Sequence, residues 1–136
     1  MFEVFEHTAD LGLRIRAATR EELFVEAARA LFSVIVANPG EVQTVDLQTI
    51  EIQGAELDYL LFDWLNELLY LFETQHLLLV KFTVEFNNEG LSATCSGEPV
   101  DSARHVLEHE VKAITYHGLK VETGSDGWLA EVIVDI

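Results

Sequence analysis

Apolar and polar residues alternate over positions 2–6 (FEVFE) and again from Leu11 to Arg16, so the chain opens with two predicted strands. His7-Thr8-Ala9-Asp10 breaks the alternation between them. From Thr19 the period lengthens. Thr19-Arg20-Glu21-Glu22 fits a capping box, in which a threonine hydroxyl and a glutamate carboxylate satisfy early helix donors. The helix is expected to run to about Val36, and Asn38-Pro39-Gly40 stops it. Its polar positions Glu22, Glu26, Arg29 and Ser33 step by four, three and four and form one narrow wet stripe. A helix so apolar around the rest of its circumference packs on a sheet, with neighbours on its flanks.

Residues 42–53 alternate again. Val45, Leu47, Ile50 and Ile52 are the expected inward positions, with a change of phase, read as a bulge, near Gln48-Thr49. A second helix is predicted from Glu56 to Thr74: Leu60, Leu61, Trp64, Leu65, Leu68 and Leu71 share a broad apolar face, and Asp63, Asn66, Glu67 and Glu73 mark the polar side. Its aromatic residues fit core packing at helical spacing better than a ligand box. Leu77–Phe86 is a strand, Asn87-Asn88-Glu89-Gly90 a hairpin turn, and Leu91–Ser96 the returning strand, broken by Gly97-Glu98-Pro99. Residues 104–117 follow neither period, and a short strand or helical turn is expected near Val111–Tyr116. Leu119–Glu122 and Trp128–Ile136 are strands flanking a turn at Gly124–Gly127. Many strands with two long helices predict an α+β fold, a mostly antiparallel sheet covered by helices.

The 136 residues suit a single domain spanning 1–136, and 49% of them are hydrophobic, which excludes intrinsic disorder. The formal net charge of −16 changes the picture more. It argues against high-affinity binding to a phosphate backbone or an anionic membrane, both of which need lysine and arginine. It suits a basic protein partner, bound cations, or simply solubility. Cys95 is the only cysteine, so no intramolecular disulfide can form, and a reducing compartment is expected. The N-terminal residues do not read as a signal peptide, and no apolar run approaches the ~18 residues of a membrane span.

Three groups of residues could carry chemistry. Glu6-His7-Thr8-Ala9-Asp10 places carboxylates and an imidazole at a strand break, where they could bind a divalent ion or move a proton, or serve only as a turn. Val134-Asp135-Ile136 sets an acidic side chain beside a main-chain carboxylate, two hard oxygen donors that would suit an ion such as calcium, or is only an exposed, frayed strand end. Arg104, His105, Glu110, Lys112 and His117 form the densest titratable set; they could anchor a phosphate or act in acid–base work, or hold an irregular segment in an internal network. Nucleotide-binding glycine loops, GxSxG, HExxH and CxxC are all absent, and His109 and Cys95 make no zinc set. His76 sits at a helix end, where it complements the helix dipole.

Taken together, EHTADLGL (6–13), EELFVEAARALF (21–32), LLFDWLNELLYLFE (60–73), GEPVDSARH (97–105), EVKAITYHGL (110–119) and VIVDI (132–136) resemble the archease family, in order along nearly the whole chain. The resemblance implies a two-layer α/β sandwich with two long helices on one face of an antiparallel sheet. It implies a cytoplasmic accessory protein, not itself an enzyme, that activates the tRNA-splicing RNA ligase. That ligase joins RNA 3′-phosphate or 2′,3′-cyclic-phosphate ends to 5′-hydroxyl ends with GTP and manganese, and the accessory protein promotes its guanylation and multiple turnover. The family's metal site carries over onto Asp10, Asp135 and the main-chain carboxylate of Ile136, with calcium the expected ion and manganese or magnesium the alternatives. Two other classes fit the residues: a metal-dependent hydrolase using His7, Asp10, His105 or His117, and a general chaperone or interaction module working without metal.

Overall fold

A computed structural model describes residues 1–136. Strands β1 (Phe2–His7) and β2 (Asp10–Ala17) form an antiparallel hairpin. On β2 the residues Leu11, Leu13 and Ile15 point to the core, while Gly12, Arg14 and Arg16 lie on the other face. The Phe5 ring covers Gly12, where a Cβ would overlap it, and the Arg14 guanidinium lies 4.6 Å from the same ring. Arg14 also bridges Glu3 on β1 and Glu131 on a third strand, so the outer face is stitched across three strands.

Helix α1 (Arg20–Ile35) starts with the threonine half of the expected capping box: Thr19 is extended and its hydroxyl accepts the Glu22 N–H at 3.1 Å. The wet stripe of Glu22, Glu26, Arg29 and Ser33 stays out of the core, and the leucine, phenylalanine and alanine positions around it are buried. After a 3-10 turn at Pro39–Glu41 comes β3 (Asp46–Gln53), then α2 (Leu57–Gln75), one residue from the predicted bounds at each end. All six leucine and tryptophan positions assigned to the inner face of α2 are buried. Trp64 is fully enclosed and donates its indole N–H to the Phe24 carbonyl of α1 at 2.9 Å, which locks the two helices together. His76 closes α2 in the left-handed conformation.

The rest of the chain is β4 (Leu77–Asn87), β5 (Gly90–Pro99), a two-residue β6 (Ala113–Ile114), β7 (Lys120–Gly124) and β8 (Gly127–Asp135). All strand pairs are antiparallel, in an α+β fold. The strands divide between two sheets. One runs β1-β2-β8-β6, with β7 also on β8; the other runs β3-β5-β4. Helix α1 packs on both β2 and β4 and so bridges the sheets, and one continuous apolar cluster fills the space between helices and strands.

Three local expectations are corrected. Strand β3 has no bulge: it pairs with β5 without a break from Asp46–Gly97 to Gln53–Gly90. Its even positions therefore face inward throughout, Ile50 is buried, and Val45 and Leu47 are 68% and 70% exposed. The bulge lies instead in β4 at Val80, between Leu79 and Lys81, where four successive apolar residues could not all obey a period of two. Strand β5 does not stop at Ser96; it continues through Gly97 and Glu98 to Pro99, paired with Leu79, Leu78 and Leu77. Proline closes the strand because it has no N–H to offer a further partner.

Candidate metal centre

In the larger sheet the second strand and the last one lie side by side and bring residues from both ends of the sequence together. β2 pairs with β8 so that Leu11 faces Val134. One residue further along each strand stand Asp10 and Asp135, both half-buried, and Ile136 follows immediately. The other edge of β8 is held by the segment after Val111. The Lys112 N–H donates to the Asp135 carbonyl at 2.7 Å, Ala113 pairs with Asp135, and the Thr115 N–H and hydroxyl both donate to the Ile133 carbonyl at 3.1 and 2.9 Å. The His117 N–H in turn donates to the Thr115 hydroxyl at 3.3 Å.

The turn beside this tip is strained. His7 pairs with Asp10, leaving Thr8 and Ala9 as a two-residue connection with φ of 43° and 31°. Such turns match the twist of a hairpin but favour asparagine and glycine; a β-branched residue there is an outlier. Next to it the His7 ring lies 5.3 Å from the His117 ring. His7 Nδ1 is the one buried side-chain nitrogen or oxygen with no hydrogen-bond partner. The donors gathered at the tip are hard carboxylate oxygens with one free imidazole nitrogen beside them, and carboxylates suit a hard divalent cation. No group of three or more histidine, cysteine, aspartate or glutamate side chains is arranged to hold a metal ion.

The third candidate group divides. Lys112 and His117 join the tip, while Arg104 and His105 belong to a separate network around Glu98. Glu98 is 5% exposed. It accepts from Arg104 Nη2 at 2.5 Å and Nη1 at 3.1 Å, from the Gln43 N–H at 2.7 Å, and pairs with His105 Nε2 at 3.0 Å. The fork of Arg104, followed by the Gln43 and His105 bonds, holds its carboxyl down at about 2. His105 Nδ1 accepts the Asp101 N–H at 2.9 Å, so in the neutral ring the proton sits on Nε2, facing Glu98. This network braces the 98–105 bend and contributes nothing to the tip. Sequence reasoning missed Glu98 because Gly97-Glu98-Pro99 reads as a break; the signal was an acid bracketed by a basic pair six and seven residues on. Glu6 and Glu110 are exposed, as are Asp63 and His109. Cys95 is fully buried and its thiol is pushed up to about 12 by burial, which leaves it an unreactive core residue.

Comparison with known proteins agrees with this architecture. Residues 2–136 match the model of the Archease protein family. The "Protein archease" of Methanopyrus kandleri is 41% identical over 139 residues, covering 99% of each chain. That of Methanosarcina acetivorans is 40% identical over 140 residues, covering 99% of this chain and 95% of the relative. A solution structure from Methanobacterium thermoautotrophicum superposes with a TM-score of 0.84 at 32% identity, over 99% of this chain and 98% of that one. A Thermotoga maritima crystal structure described as "an archease, possible chaperone" shares the fold, with a TM-score of 0.69 at 23% identity over 100% and 98% of the two chains. No helix here is long and apolar enough to cross a membrane. With a family match over residues 2–136 and relatives near 40% identity along their whole length, the chain belongs to the archease family.

Proposed function

We propose that this protein is the accessory activator of a GTP- and manganese-dependent tRNA-splicing RNA ligase, and that it works through the tip formed by Asp10, Asp135 and Ile136. The observation that carries the reading is the juxtaposition of Asp10 and Asp135 at the end of the β2–β8 ladder, two acids from opposite ends of the chain set side by side. A divalent cation held by both carboxylates and by the Ile136 main-chain carboxylate would have hard oxygen ligands and would neutralise their combined charge. Calcium is the expected ion, with manganese or magnesium as alternatives. Backbone carbonyls and water would complete its shell.

The mechanism follows from charge and shape. A ligase that binds GTP and manganese presents a basic, metal-rich mouth, and a chain of net charge −16 is steered toward it. When bound, the cation would offset the acidic tip against the nucleotide phosphates. The chain's own part is to present Asp10 and Asp135 rigidly. The hairpin fixes Asp10, and the Lys112 and Thr115 bonds fix the last residues of β8. The protein itself performs no bond-making step in this scheme; it assists guanylation of the ligase and so permits repeated turnover.

The test is RNA ligation by the cognate ligase with GTP and manganese under multiple-turnover conditions. Many turnovers only in the presence of this protein are expected. Asp10→Asn and Asp135→Asn should abolish that stimulation while circular dichroism shows an intact fold. Full stimulation by both variants would remove the tip from the mechanism. Equal turnover without the protein, together with suppression of aggregation of unrelated clients, would favour a general chaperone working without metal.

A further inference from the structure

The outward face of α2 carries acids and aromatic rings and no base. Between Leu57 and Gln75 there is neither lysine nor arginine, and Asp63, Asn66, Tyr70 and Glu73 are exposed. A helix face that is merely solvated interleaves both signs, because opposite charges four residues apart stabilise it and like charges destabilise it. Here Asp63 and Glu67 are a like-charged pair at that spacing.

At the start of this face lies a ring cluster. Tyr116 stacks flat on Phe62, centroids 3.8 Å apart at 12°, and Tyr59 meets Tyr116 edge-on at 6.0 Å. Tyr59 and Tyr116 remain 53% and 56% exposed, so the outer sides of both rings are free. Further along, α2 and β3 flank a shallow, open groove of about 740 Å³ lined by Glu51, Asp63, Asn66, Glu67, Tyr70 and Glu73 among others. Tyr59, Asp63, Asn66 and Tyr70 step by four, three and four, so cluster and groove form one track along the helix. Tyr116 starts it beside the acidic tip, because its neighbour His117 packs on His7 and Lys112 is bonded to Asp135.

We propose that this track, running from Tyr116 and Tyr59 to Asp63 and Tyr70, docks an extended arginine-bearing segment of a basic protein partner. Charge complementarity selects that occupant. A guanidinium stacks on an aromatic face and forks onto carboxylates, so alternating rings and acids suit it better than they suit an ammonium. RNA, an anionic membrane and a second copy of this chain all share the sign of the track and are repelled. The inference extends the proposed docking of the tip, and only its ligase arm rests on that reading.

The test uses the full chain and two synthetic peptides, acetyl-(Gly-Arg)4-amide and acetyl-(Gly-Lys)4-amide. The arginine peptide should bind about fivefold more tightly by calorimetry, with amide shifts confined to 57–73 and 112–117. Tyr59→Ser with Tyr116→Ser should erase the preference, and Tyr59→Phe with Tyr116→Phe should keep it. Both positions are more than half exposed, so no buried residue is replaced. Equal affinities, shifts spread over the whole acidic surface, or no binding would each overturn the proposal. In the ligase assay the serine variant should raise the concentration needed for half-stimulation and leave the maximum unchanged. Failure of all stimulation by the wild-type chain would count against the ligase reading and leave the peptide result standing.

Discussion

Thr8 and Ala9 hold the left-handed backbone that joins β1 to β2, where neither residue is at ease. Such strain costs about 1–3 kcal/mol per residue and persists where the surroundings impose it. Replacing the pair by Asn-Gly should raise stability by about 1 kcal/mol in urea denaturation. If the strained turn also sets the position of Asp10, the same change should weaken terbium luminescence as a metal probe. Glu98 yields a pH prediction. Its carboxyl is held at about 2 against an ordinary 4.5, chiefly by the Arg104 fork. A depressed acid adds stability that is complete above about pH 4.5 and fades as pH falls toward about 2. The stability gap between wild type and Glu98→Gln should therefore be widest near neutrality and shrink through that window; a gap independent of pH would show that the carboxylate charge is not what the network needs.

Between elements, the indole of Trp64 is the junction of α1 and α2, fully buried and bonded to the Phe24 carbonyl. Trp64→Phe loses the bond and leaves a cavity, and should cost about 2–4 kcal/mol by chemical denaturation. Strand β5 offers a probe of the smaller sheet. Cys95 lies inward, opposite Gln48 and Phe82, with its thiol pushed up to about 12. Ellman's reagent at pH 8 should not modify the native chain and should modify it as urea opens the sheet. The elements themselves were legible from the chain because their periods are local: the capping threonine, the narrow polar stripe of α1 and the leucine face of α2 all stand where spacing put them. The misplaced bulge of β3 and the unpredicted one of β4 share one cause. Which residue faces inward depends on register with β5, and register is set by a partner strand, not by the strand's own pattern.

For the whole molecule, the larger sheet matters most because it returns the chain's last strand to its second. On the proposed metal site, extending the chain past Ile136 with a tag should weaken terbium binding; unchanged affinity by terbium titration would exclude Ile136 from the site. The −16 charge sets a second expectation at this scale. Association with a basic partner should slow steeply as salt rises past the ~10 Å screening length of 0.1 M, with a smaller change in dissociation.

Amino-acid order alone determined the helices and most strand positions, the strongly acidic character of the chain, and the resemblance that singled out Asp10, Asp135 and Ile136. It could not place Asp10 beside Asp135, because no periodicity relates residues so far apart; the β2–β8 ladder does that. Nor could it divide the basic cluster into Arg104 and His105, which serve Glu98, and Lys112 and His117, which serve the tip. Propensity and patterning act over a few residues. Pairing between distant strands is chosen by the packing of the whole core, and the candidate site exists only where that packing closes the sheet.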